Sequence, residues 1–147
     1  MKKPFDSALH EAYDSKAKDV VKRHLWGKGW QVWDNPDRYG IDLFCVKIAN
    51  AQATWFSVEV EVKTGWSSFD FPFPTLHIPF RKAKWGRRGT FFVILNLPMT
   101  RLAVVKGEDL RGIIRREIIK KATSYTLDEE FIEVPLSQVT FEAVECR

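Results

Sequence analysis

Cysteine is nearly absent. The 147 residues hold two, Cys45 in a strand-like run and Cys146 at the C-terminal end, which gives neither a disulfide framework nor a metal-ligand spacing. Long apolar runs are missing too. Nothing approaches the roughly 20 residues of a membrane-spanning helix, and the opening MKKPFDSALHEAYD passes from two lysines into charged residues instead of an apolar leader core. There is no internal repeat, no low-complexity tract and no linker between two cores. These absences predict an intracellular, cytoplasmic protein without a membrane partner, folded as one domain over residues 1–147.

Charge is only mildly unbalanced, at +4 with an isoelectric point near 9.1. Its distribution is more informative, because the positive residues bunch at 16–23, 81–88 and 101–121. Arg81, Lys82, Lys84, Arg87 and Arg88 form the densest cluster. Such patches are the footprint of a polyanion partner, although a solvated surface produces the same pattern.

What is present is organised around 54–65, TWFSVEVEVKTG. Val58, Val60 and Val62 alternate with Ser57, Glu59, Glu61 and Lys63, so a strand with period two turns the valines to a core and the charges to the other face. Asp42 opens the preceding strand-like run, YGIDLFCV. Neighbouring antiparallel strands would bring its carboxylate beside Glu61, so that two carboxylates and the Lys63 amine converge. The competing reading is a solvated edge strand with charges for solubility. Glu59 is open to two roles, an outer carboxylate or, preferred, the partner of a surface lysine.

Along the chain, 6–28 reads as an amphipathic helix stopped by Gly27 and Gly29. Asp14 falls at the rim of its apolar stripe, as a further site carboxylate or as half of an ion pair with Lys18, and His10 carries the same two readings. Strands are expected at 29–33, 41–48 and 54–63, forming a meander. The stretch 65–78 contains Pro72 and Pro74 and is expected to be a loop. Its aromatics Trp66, Phe69, Phe71 and Phe73 suit the core or a dimer surface better than the stacking of bases. A basic helix is expected at 80–87, a buried central strand at 90–97, a strand at 101–106, a helix at 108–121, and short closing strands at 131–136 and 139–144.

The order helix, three strands, basic helix and buried strand, with Asp42 on the second strand and Glu61-Val62-Lys63 on the third, resembles the PD-(D/E)XK nuclease superfamily. In size and layout the chain looks most like small Holliday-junction resolvases and related phage nucleases. The resemblance implies an α/β fold, a mixed central sheet flanked by helices, with its core at about 6–97 and embellishment at 98–147. It implies a metal-dependent DNA endonuclease, structure-selective in the resolvase-like case and working as a homodimer. Asp42, Glu61 and the Val62 carbonyl would hold Mg2+, with Mn2+ able to substitute, and Lys63 would position or activate the attacking water. Asp14 stands where many members carry an acid on the first helix. Arg81, Lys82, Lys84, Arg87 and Arg88 would hold phosphates. Ile41 replaces the family's proline before Asp42; the literal Pro36-Asp37 lies in a predicted turn, which makes Asp37 the fallback acid. The rival expectations are a nucleic-acid-binding module that does not cut and a structural or interaction protein.

Overall fold

A computed structural model describes residues 7–110, 114–118 and 128–145. The fold is α+β. Helix α1 (Ser7–Gly27) leads into β1 (Gln31–Asp34), β2 (Leu43–Ala49), β3 (Gln52–Lys63), β4 (Thr75–Pro79), β5 (Thr90–Asn96), β6 (Arg101–Lys106), β7 (Ile114–Ile118), β8 (Asp128–Pro135) and β9 (Thr140–Ala143). The main sheet has the order β1-β2-β3-β5-β6-β9, and a smaller one has the order β4-β8-β7. The main sheet is mixed: β3 and β5 run parallel, and its other pairs are antiparallel.

Alternation along the inner strands gives each face of the main sheet its own core. Val58 and Val60 of β3 and Val93 and Leu95 of β5 pack with Ala17 and Val21 of α1. Phe92 and Ile94 of β5 and Ala103 and Val105 of β6 point the other way, onto Leu76, Ile78, Ile132 and Val134 of the small sheet. The flanks of the main sheet are therefore one helix and one sheet, instead of two helices. Residues after Leu97 contribute to both layers, since β6 and β9 extend the main sheet and β8 centres the small one.

The end of α1 is tied to the far edge of the sheet. Gly29 takes a φ of 90° just beyond the helix, a conformation that only glycine adopts without strain. His24 accepts the Glu145 N–H at Nδ1 (3.2 Å) and lies 3.2 Å from Glu142 Oε1 through Nε2, while Lys28 also pairs with Glu142. Burial, assisted by Lys28, lowers the His24 pKa, so the ring is neutral and carries its proton on Nε2.

The β2–β3 hairpin pairs Ala49 with Gln52 across two residues, Asn50 and Ala51, whose φ values are 52° and 61°. A turn with positive φ at both positions favours Asn-Gly, and alanine is strained there. Ala51→Gly is expected to raise stability by about 1 kcal/mol, read as a shift of the urea midpoint with an unchanged slope.

Three expected elements differ. The basic helix at 80–87 is a 3-10 helix, Phe80–Trp85, because six residues between Pro79 and Gly86 are too few to repay α-helix nucleation. The loop at 65–78 ends in β4, an edge strand whose last residue, Pro79, has no following ladder to interrupt. The expected helix at 108–121 is replaced by a 3-10 turn, Gly107–Leu110, and strand β7 paired with β8. A spacing of four, Ile114 to Ile118, satisfies a helix and a strand equally, and β-branched residues lean toward the strand once a partner is present. The remaining parts of that expectation, 111–113 and 119–121, lie outside the described residues, as do the His10 side chain and Cys146. No described helix is long and apolar enough to cross a membrane.

Candidate active site at the open edge of β3

Pairing between β2 and β3 stops at Leu43 opposite Val58, while β3 continues to Lys63. From Glu59 onward the β2 side of β3 is open. Asp42, the residue before β2, fills the first vacant ladder position with its side chain: Oδ2 accepts the Val60 N–H at 2.8 Å. Its own N–H donates to Glu59 Oε1 at 3.2 Å. The turn upstream sets this entry, with Asn35 Nδ2 donating to the Ile41 carbonyl (2.9 Å) and the Asn35 N–H to the Asp42 carbonyl (3.0 Å).

Two lysines complete the cluster from opposite sides of the sheet. Lys18 of α1 lies 3.3 Å from Asp42 Oδ1 and 3.3 Å from Asp14 Oδ2. Lys82, from the 3-10 helix, lies 3.1 Å from Glu59 Oε2 and 3.6 Å from Glu61 Oε2. Asp14, Lys18, Asp42, Glu59, Lys82 and Glu61 thus form one continuous polar chain across the end of the sheet. Asp14, Glu61, Thr64, Arg81 and Lys82 line the cleft that opens there.

Burial decides the electrostatics. Glu59 is 6% exposed, and desolvation pushes its pKa up to about 8, with Lys82 opposing the rise and Asp42 adding to it. Desolvation acts to lower the Lys82 pKa, but Glu61, Glu59 and Asp42 outweigh it and hold the amine protonated. Lys18 behaves likewise, raised by Asp42 and Asp14 against its own burial. Because folded Glu59 binds its proton more tightly than an unfolded glutamate near 4.5, its contribution to stability is full below that value and is lost as pH rises toward 8. Glu59→Gln cannot titrate. It is expected to flatten the stability profile between pH 5 and 8, where the wild type loses stability as this group ionises, as measured by urea unfolding across that range.

The expected site residues separate into groups. Asp42 falls beside Glu59 and not, as expected, beside Glu61, because the two-residue hairpin sets Leu43 opposite Val58; Lys18 links it to Asp14, and Glu61, 30% exposed, lines the cleft with Asp14. Lys63 ends β3 on the Glu61 face, its amine 5.0 Å from the centre of the Phe73 ring. Lys82 also meets Glu61, and its amine is nearly buried instead of lying on a basic surface. Lys84 stacks on Trp85 at 4.5 Å, Arg81 stands at the cleft, and Arg87 and Arg88 lie beyond it near the start of β5. Asp37 is exposed in its turn, where Oδ1 accepts the Tyr39 N–H at 3.0 Å. Glu59 does have a lysine partner, as its preferred reading required, but the pair is buried. The signal for that burial was its place directly across from Asp42 once the hairpin is closed by two residues.

Asp42, Glu61 and the Val62 carbonyl are hard oxygen donors, which suits Mg2+ or Mn2+. Among the described residues no three His, Cys, Asp or Glu side chains are gathered into a metal site; Lys18 and Lys82 supply the counter-charge to the carboxylates. A divalent cation here would compete with Lys18 for Asp42 and with Lys82 for Glu61. No protein-family model and no curated protein matches the chain.

Proposed function

We propose that the chain is a metal-dependent DNA endonuclease whose cleft lies at the open edge of β3. The observation that supports this most is the placement of Asp42, whose carboxylate takes the Val60 N–H at the open edge of β3 and lies beside Glu59, two residues before Glu61. A purely structural role does not call for a buried carboxyl cluster that also opens on a cleft. In this reading Asp42, Glu61 and the Val62 carbonyl hold the cation, which would neutralise phosphate charge and supply a nucleophilic water. Arg81 at the lip binds a phosphate oxygen. Lys63 donates to the phosphate or to the water, and Lys82 fixes the Glu61 carboxylate while Lys18 fixes that of Asp42.

A second reading, a DNA-binding module that does not cut, is favoured by one observation: both lysines already satisfy the carboxylates. Cleavage separates the two. Labelled branched, duplex and single-stranded DNA are incubated in Mg2+, Mn2+ and EDTA with wild type, Glu61→Ala and Lys63→Ala. The expected result is metal-dependent cutting that falls about 100- to 1000-fold or more in both variants, with binding in EDTA retained. Binding without cutting selects the module, and neither binding nor cutting removes both readings.

A further inference from the structure

The exposed aromatics are not where the sequence concentrates them. In the 65–78 stretch Trp66 is fully buried and only Phe69 is strongly exposed, whereas Trp33 and Trp55 are 41% and 61% exposed on the main sheet. Their rings meet edge to face at 5.8 Å. Cross-strand register places Trp33 beside Phe44, Phe44 beside Ser57 and Ser57 beside Thr90. Trp55 shares their face by alternation. These residues line a shallow groove whose other wall is Arg87 and Arg88, both exposed.

Position makes this groove more than an apolar patch. Glu59 and Glu61 follow Ser57 at alternate positions of β3, so they stand on the same face of the sheet, the first of them one row away, roughly 7 Å. The small sheet packs on that face over β5 and β6 and Lys82 covers Glu59, while the tryptophans stay exposed further along the same face. Indole faces beside guanidinium groups match one chemistry well: unpaired bases stack on the rings while their phosphates meet the arginines. A base-paired duplex presents its phosphates but not the faces of its bases.

We propose that the Trp33–Trp55 groove binds unpaired nucleotides of a DNA strand and that the preferred substrate carries single-stranded DNA next to the bond presented to the cleft. The second half rests on the nuclease reading; the first stands on the groove alone. The test is anisotropy of a labelled oligo-dT and of a blunt duplex in EDTA, where nothing is cut. Wild type is compared with Trp55→Ala, Trp55→Phe and the Arg87→Ala/Arg88→Ala double variant, each confirmed folded by circular dichroism.

Trp55→Ala is expected to weaken oligo-dT binding about tenfold or more, the loss of one stacked base, and Trp55→Phe to keep most of it. The arginine pair should reduce the slope of log affinity against log salt by about 1.4, at roughly 0.7 per phosphate on a single strand. Duplex affinity should change less than about twofold in Trp55→Ala, far below the effect of one lost stack. Unchanged oligo-dT affinity in Trp55→Ala, or an equal loss on duplex, overturns the proposal. So does self-association that Trp55→Ala abolishes without any effect on DNA, which would make the groove a contact with a second copy. Oligo-dT binding through Trp55 with no cleavage of any DNA would remove the nuclease reading and leave the groove; cleavage with binding indifferent to Trp55 would do the reverse.

Discussion

Lys82→Ala is expected to cost about 3–5 kcal/mol of stability, the usual consequence of removing one partner from a buried ion pair. Its side chain is 11% exposed and answers two carboxylates, Glu59 at 3.1 Å and Glu61 at 3.6 Å. Without it Glu59 loses the cation that opposes the desolvation already raising its pKa, and it takes up a proton at still higher pH. The deficit should therefore be larger at pH 8.5 than at pH 5, where Glu59 is already neutral in the wild type. Adding Glu59→Gln to Lys82→Ala should recover part of the loss at pH 8.5, because the second change removes the charge left uncompensated. Urea unfolding of the three variants at both pH values gives the comparison. A deficit independent of pH would mean that Lys82 acts through the packing of its stem.

Trp66→Ala is expected to be comparably severe, about 3–5 kcal/mol. The indole is fully buried, its Nε1–H donates to the Asp70 carbonyl at 3.0 Å, and its ring meets Phe71 and Phe141 edge to face at 5.1 and 5.9 Å. Deleting it opens a cavity under β9 and releases the loop that leads to β4. The backbone strengthens this expectation, since the Trp66 N–H donates to the Lys63 carbonyl and the Trp66 carbonyl accepts the Leu97 N–H, fixing the ring between the ends of β3 and β5. Far-UV circular dichroism during thermal unfolding would show a midpoint lowered by several degrees or more. A shift of less than one degree would assign Trp66 to a surface instead.

The same residues show what a sequence carries and what it leaves out. β5 and β6 were legible because a continuous apolar run and a clean alternation admit few other structures, and observed strands 90–96 and 101–106 match. That β2 and β3 are neighbours was legible, but the register that sets Asp42 at Glu59 and not at Glu61 was not drawn from the sequence. A two-residue hairpin fixes the register, and with Ala49 opposite Gln52 the next position beyond Leu43 falls at Glu59. Lys82 was not legible. Its place in a run of five cations suggested solvent, and only the tight 3-10 helix after Pro79 turns it inward. The isoleucines at 114 and 118 were ambiguous because a separation of four closes both a helical turn and two strand repeats. Trp33 and Trp55 each looked like an ordinary strand residue, since their exposure depends on how far the small sheet extends over the main one, a property of the whole fold.

Metal-dependent cleavage requires the carboxylates at the open edge of β3 to hold a divalent cation. Paramagnetic resonance of Mn2+ titrated into wild type, Asp42→Asn and Glu61→Gln measures this directly, without requiring a substrate. Bound ion is expected in the wild type, and its loss in both variants while each remains folded. A wild type that binds no Mn2+, or variants that bind it as the wild type does, would contradict the assignment of this cleft to metal-dependent chemistry.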